Sequence, residues 1–148
     1  MILQLATIIL MGLTAKTDST TKIQEQETEC LAKNIYYEAP YESYEGKLAV
    51  ATVTLNRVKH KHFPKTVCGV VYQKFQFSWT AKPYPIRDMK IYKEAKRIAR
   101  EVLFEHKRLP TIKNAMYFHN MTVKPKWSLA MLPIQRIGGH IFYVSKGT

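Results

Sequence analysis

Pro40 separates two helical patterns, and that break constrains most of what this chain can become. Upstream of it, Leu31, Ile35 and Glu38 follow one another at i, i+4, i+7 spacing, so a carboxylate continues an apolar stripe. Proline lacks an amide hydrogen and disfavours helical geometry in the residue before it, so the helix is expected to stop at Ala39. Glu38 then occupies the last turn, at the lip of whatever cleft follows. Downstream, Ser43 is a candidate N-cap and Glu45 lies near the positive end of the next helix. Over residues 46–59, Leu48, Ala49, Val50, Ala51, Val53, Leu55 and Val58 surround that helix with apolar groups, which predicts a central, buried element.

A carboxyl group held against apolar surface loses hydration, and the carbonyl end of a helix disfavours negative charge. Both effects raise the pKa of Glu38 and would let it donate a proton near neutral pH, the first requirement of a general acid at a glycosidic bond. The plainer reading is a solvated glutamate at a helix end, and spacing alone leaves both open.

Several motifs in order narrow the choice. Ile35-Tyr-Tyr-Glu-Ala39, Glu42, Tyr44-Glu-Gly46, Leu48-Ala-Val-Ala51, Val53 and Leu55-Asn-Arg-Val58 are followed by Phe63-Pro64 and Val67-Cys-Gly-Val-Val-Tyr-Gln73. Gln76-Phe-Ser78, Tyr117-Phe-His-Asn120 and Ile137-Gly-Gly-His-Ile-Phe-Tyr143 complete the series. This chain resembles the SleB/CwlJ-like cell wall hydrolases, the spore cortex-lytic enzyme family also common in phage genomes. The resemblance covers roughly residues 30–144.

The resemblance implies that Glu38 is the catalytic acid and that the substrate is bacterial peptidoglycan, cut between N-acetylmuramic acid and N-acetylglucosamine. It favours a lytic transglycosylase, in which one glutamate serves as acid and then base and the products carry 1,6-anhydro ends. A hydrolytic muramidase would instead recruit Glu42 or Glu45 as a second carboxylate. It also implies an α+β fold, a mainly helical lobe with a small antiparallel sheet and a cleft between them, as in lysozyme-like enzymes. Around Glu38 the expected substrate contacts are Tyr37, Glu42, Asn56, Gln76, Phe77, Ser78, Trp79, His119 and His140, with Asn56 preferred over Arg57. The segment Phe75-Gln-Phe-Ser-Trp79 offers flat rings and hydrogen-bonding groups suited to sugars, although a core-facing aromatic strand would read the same. Two departures stand out. Pro40 and Tyr41 replace the family's usual small or basic residue and glycine, which bears on the loop beside the acid, and Gly138-Gly139-His140 replaces Gly-Asn-His.

At 148 residues and 46% hydrophobic content the chain supports one core. The expected organisation is a signal peptide or N-terminal anchor over residues 1–15, a linker over 16–27 and a single catalytic domain over 28–148. The apolar opening run points to export to periplasm, cell wall or exterior. A net charge of +12 favours an anionic partner such as a wall polymer, and it motivates one reading from another class, a basic nucleic-acid-binding module. The apolar opening run and the cysteine pair speak against that module, so peptidoglycan is the expected partner and the chain is expected to be a monomer. In an oxidising compartment Cys30 and Cys68 would close a loop containing Glu38, worth roughly 3 to 4 kcal/mol by loop entropy. In a reducing cytosol they would be two buried thiols, and the disulfide is the favoured reading.

Further along, His60 and His62 alternate within a basic stretch that lacks a third ligand, so a solvated loop is expected and no metal or other cofactor. Residues 67–73 are a short apolar helix or strand. Ile91, Ala95, Ile98 and Val102 mark an amphipathic helix starting near Asp88 and running to Leu109-Pro110, with Arg87, Lys90, Lys93, Lys96, Arg97 and Arg100 on its remaining surface. Strands are expected at residues 115–119 and 137–144, the second entered through Gly138-Gly139, with a loop over 121–133.

Overall fold

The computed structural model describes residues 2–147, with side chains from residue 16 onward. The apolar run that reads as a signal peptide falls on residues 1–15, whose side chains lie outside that range. Helix α1 (Ile2–Glu38) ends where Pro40 forbids continuation, and Ala39 donates its amide to the Ile35 carbonyl at 2.9 Å. The stretch 16–27, expected as a linker, is helical within α1 instead. Its polar side chains are exposed, and surface pairs attach its end to the domain: Glu25 meets Lys96 at 2.8 Å and Arg100 at 3.4 Å.

Helix α2 (Tyr44–Lys59) begins at Ser43, whose hydroxyl accepts the Gly46 amide at 3.2 Å. All its residues from Gly46 to Leu55 are buried, as its apolar circumference requires. On one side Leu48, Ala51 and Leu55 pack with Leu31 and Ile35 of α1, with Val67 and Val71 of α3 (Val67–Val71), and with Ala95, Ile98 and Val102 of α4 (Met89–Phe104). On the other, Ala49 and Val53 pack with Ile112, Ala115, Ile137 and Phe142 of the sheet side. A buried helix between two hydrophobic clusters joins the lobes, so whatever its ends carry is held rigidly.

Helix α3 settles the ambiguous apolar run as a helix. The Glu27 carboxylate accepts the Val67 amide at 2.6 Å and the Cys68 amide at 3.1 Å, an acid at a helix start where free amides need one. Cys30 and Cys68 form a disulfide, as favoured, with Cα atoms 5.2 Å apart, so α3 is tied to α1 twice. Asp88 caps α4, accepting the Lys90 and Ile91 amides at 3.0 Å each. That helix ends at Phe104, short of the expected Leu109-Pro110, because His106 turns into the left-handed region at φ 57°.

The sheet has three antiparallel strands in the order β1 (Tyr117–Asn120), β3 (His140–Ser145), β2 (Met131–Ile137). The expected pair is present, but β2 lies partly within the expected loop, and Gly138-Gly139 is the turn of a β2–β3 hairpin. Pro133 opposes Tyr143, and the register shifts between Pro133 and Gln135. Proline is tolerated there because β2 is an edge strand, with no further strand among the described residues to receive an amide hydrogen. The architecture is α+β, a mainly helical lobe carrying a small antiparallel sheet.

Candidate active site

The stripe Leu31 and Ile35 is wholly buried and delivers Glu38, half-buried, to the wall of a cleft of about 890 Å³. The cleft runs between the end of α1, the end of α2, the segment after α3 and strand β1. Burial pushes the Glu38 carboxyl up to about 7, with the Arg57 charge opposing that shift, and no hydrogen bond contributes to it. Near neutral pH such a group exists in both forms and can give a proton or take one.

Arg57, at the end of α2, is the second charged group of the site. Its side chain is buried, with Nε donating to the Met116 carbonyl at 2.7 Å and an Nη to the Gln76 amide oxygen at 3.2 Å. The guanidinium lies 5.3 Å from the Phe63 ring centroid and 5.6 Å from those of Phe77 and Tyr117. Burial lowers its pKa to about 10, so it stays cationic at neutral pH. Of the two neighbours, Arg57 lines the cleft and Asn56, the one preferred as a contact, does not. Asn56 points the other way and donates to the Ala115 carbonyl at 2.9 Å, holding the approach to β1 rather than facing Glu38. Consecutive residues project about 100° apart on a helix, and when both faces are buried, apolarity cannot say which one meets the cleft.

The aromatic segment splits in the same way. Gln76, Phe77 and Ser78 line the cleft, as expected. Trp79 does not; it is buried, donates its indole N–H to the Asn34 side chain at 3.3 Å and stacks on Tyr37 at 4.7 Å. Tyr37 in turn donates its hydroxyl to the Tyr84 carbonyl. The segment does not alternate as a strand would, because Phe75 takes φ 66° and Ser78–Ala81 is a 3₁₀ turn.

His119 lines the cleft with both ring nitrogens engaged. Nδ1 lies 2.8 Å from the Asn120 carbonyl, which can only accept, so Nδ1 carries the hydrogen. Nε2 then accepts from the Tyr143 hydroxyl at 2.8 Å. His119, Tyr143, Tyr117 and Trp127 form one aromatic cluster, Trp127 sitting 5.6 Å from His119, 5.4 Å from Tyr143 and 5.8 Å from Tyr117. Trp127 belongs to the stretch read as a loop. Its only sequence signal is an aromatic residue beside two lysines and a proline in Lys124-Pro-Lys-Trp127.

Glu42 and His140 stand behind the cleft rather than in it. The Glu42 carboxylate accepts the Gly139 amide at 2.9 Å and lies 3.5 Å from His140 Nδ1. A Cβ at Gly138 would fall 1.9 Å from Glu42 Oε2, and one at Gly139 would fall 2.8 Å from Oε1. Two glycines therefore let the hairpin close over this carboxylate. His140 is buried edge-on to Phe118 at 5.4 Å, and burial lowers its pKa, opposed by Glu42 and by a hydrogen bond with the Glu38 backbone. His60 and His62 lie at the end of α2 and in the turn after it, their rings 5.3 Å apart.

A helical lobe, a small sheet and a cleft holding one carboxylate of raised pKa give the architecture of a lysozyme-like domain. The chain belongs to the cell wall hydrolase family, whose profile matches residues 41–143. Two solved structures share the fold. The catalytic domain of the germination-specific lytic transglycosylase SleB from Bacillus anthracis has a TM-score of 0.62 at 33% identity, covering 79% of this chain and 93% of that one. The catalytic domain of the Bacillus cereus SleB protein has a TM-score of 0.61 at 30% identity, covering 80% and 90%. Among curated relatives, the spore cortex-lytic enzyme of Bacillus subtilis is 35% identical over 114 residues, which is 76% of this chain and 35% of that protein. That of Oceanobacillus iheyensis is 34% identical over 120 residues, 80% of this chain and 41% of the relative. The chain thus spans well under half the length of these curated relatives.

Proposed function

We propose that this chain is an exported lytic transglycosylase that cleaves peptidoglycan between N-acetylmuramic acid and N-acetylglucosamine, with Glu38 as its acid and base. The observation that carries the reading is that Glu38 is the one carboxylate among the described residues lining the cleft, and that burial raises its pKa to about 7. Protonated Glu38 gives its hydrogen to the bridging oxygen as the bond from the anomeric carbon to that oxygen breaks. The Glu38 carboxylate then takes the hydrogen from the muramic acid's own C6 hydroxyl as that oxygen bonds to the anomeric carbon. A 1,6-anhydro ring forms, no water is consumed, and Glu38 ends protonated as it began. Arg57 favours the intermediate carboxylate, and its packing among three rings keeps it from swinging into solvent.

The similarity to the catalytic domain of the lytic transglycosylase SleB from Bacillus anthracis supports this assignment. A two-carboxylate muramidase would use Glu42 or Glu45 beside Glu38, but Glu42 is turned to the hairpin amide of Gly139 and neither residue lines the cleft. Trp127 and Tyr117 supply flat rings against which a sugar can stack, in place of Trp79. Cleavage by the wild-type chain and by Glu38→Gln, read by mass spectrometry of released muropeptides, tests the reading. Anhydro-muramyl ends from wild type that are lost in the variant support it. Reducing ends would assign a hydrolase, and separated glycan and peptide would assign an amidase.

A further inference from the structure

A second groove of about 470 Å³ adjoins the cleft, and the two share Tyr72, Thr80 and Ala81 as lining residues. The second groove carries a row of rings, Tyr37 stacked on Trp79, Tyr72 edge-on to Trp79 at 5.6 Å, and Tyr84 tilted to Tyr37 at 6.2 Å. Among the described residues its charged lining residues are Lys33 and Lys82, with no carboxylate. Lys33 has one acidic neighbour, Glu29 at 3.9 Å, and that carboxylate also serves Lys96 at 3.5 Å, so the groove keeps a net positive charge. Tyr84 is 54% exposed and Tyr72 48%, which leaves ring surface open to a ligand.

We propose that this side groove is a binding site for the acidic peptide stem of the glycan strand, with Lys33 and Lys82 meeting its carboxylates and the tyrosine row its aliphatic side chains. The inference rests on the peptidoglycan reading above. A muramic acid in the cleft presents its lactyl group and attached peptide to one side, and the side groove is continuous with the cleft through a shared wall. A stem peptide combines free carboxylates with short aliphatic side chains and matches a groove of lysines and rings. Glycan stripped of its stems keeps only a short lactyl carboxylate on each muramic acid, which lacks the reach and the aliphatic side chains to fill the groove. The site gives the enzyme a preference for stem-bearing strands over glycan stripped of peptide.

The test compares the full chain with a Lys33→Glu/Lys82→Glu double variant on intact sacculi strands and on strands whose stems an amidase has removed. Wild type is expected to release glycan ends from stem-bearing strands about tenfold faster than from stripped ones. The double variant loses about tenfold on stem-bearing strands and less than about twofold on stripped strands. Equal rates for both proteins on both substrates, or an equal loss on both, would overturn the stem site while leaving the transglycosylase reading intact. If wild type releases no glycan ends from either substrate, the underlying reading falls and the stem site with it.

Discussion

Glu38 and Glu42 lie four residues apart on either side of Pro40, and the fold treats them in opposite ways. Glu42 is met by a backbone donor, the Gly139 amide at 2.9 Å, because the Gly138-Gly139 turn can close over it. Glu38 is met by apolar surface, which disfavours its charge and makes its proton usable, and Arg57 at longer range opposes that only in part. The residue type is the same; the donors brought to it decide whether the carboxyl is held as a brace or keeps a proton near neutral pH.

The sharpest way to break the comparison is to neutralise each carboxyl in turn. Glu38→Gln is expected to lower peptidoglycan cleavage at least about a hundredfold. Glu42→Gln keeps an oxygen for the Gly139 amide and should cost less than about threefold. A loss at Glu42 as large as that at Glu38 would restore the two-carboxylate mechanism.

The buried carboxyl of Glu38 should also be visible in stability. The folded pKa of Glu38 lies above its unfolded value of 4.5, so the native state holds a proton that the unfolded chain has released. Its contribution is fully present below pH 4.5 and is lost as pH rises through about 7. Glu38→Gln removes that loss and should be more stable than wild type by up to about 3 kcal/mol at pH 8, with the gain vanishing near pH 4. Denaturant unfolding at the two pH values measures it.

On the hairpin side, Gly138→Ala should destabilise by roughly 2 kcal/mol, combining left-handed strain with displacement of Glu42. Gly147, at φ 86° with nothing within 4 Å of an added Cβ, is the matched control. Gly147→Ala should cost no more than about 1 kcal/mol. Equal losses would mean that Glu42 is not gripped by the turn.

The smallest expected effect is on the cleft side. Arg57 lowers the Glu38 pKa, so Arg57→Met should move the alkaline fall of the pH–rate profile upward by up to about one pH unit. A downward shift, or none, would remove Arg57 as the electrostatic partner of the acid.

Much of this is legible in the sequence. Glu38 stood out because an i, i+4, i+7 stripe and a following proline are local signals, and so were the Ser43 cap and the amphipathic stripe of α4. What escaped depended on partners distant in sequence. Strand β2 contains Pro133 and pairs only with β3, so it lacks the clean alternation of a half-buried strand. The choice of Arg57 over Asn56 is made by Met116 and Gln76, residues no helical period points to. Trp79 left the cleft because Asn34 and Tyr37 claim it, and Trp127 entered through a turn that only the sheet positions. The helix over residues 16–27 has no apolar face to announce it.

The central claim is that burial turns Glu38 into an acid usable near neutrality. Carbon-13 NMR titration of glutamate carboxyls, with the Glu38 signal assigned by its absence in Glu38→Gln, addresses that claim without substrate. A Glu38 midpoint near pH 7 is expected, well above the other glutamates. A midpoint near the ordinary 4.5 would contradict the account, because the carboxyl would then be ionised and unable to protonate a leaving oxygen at neutral pH.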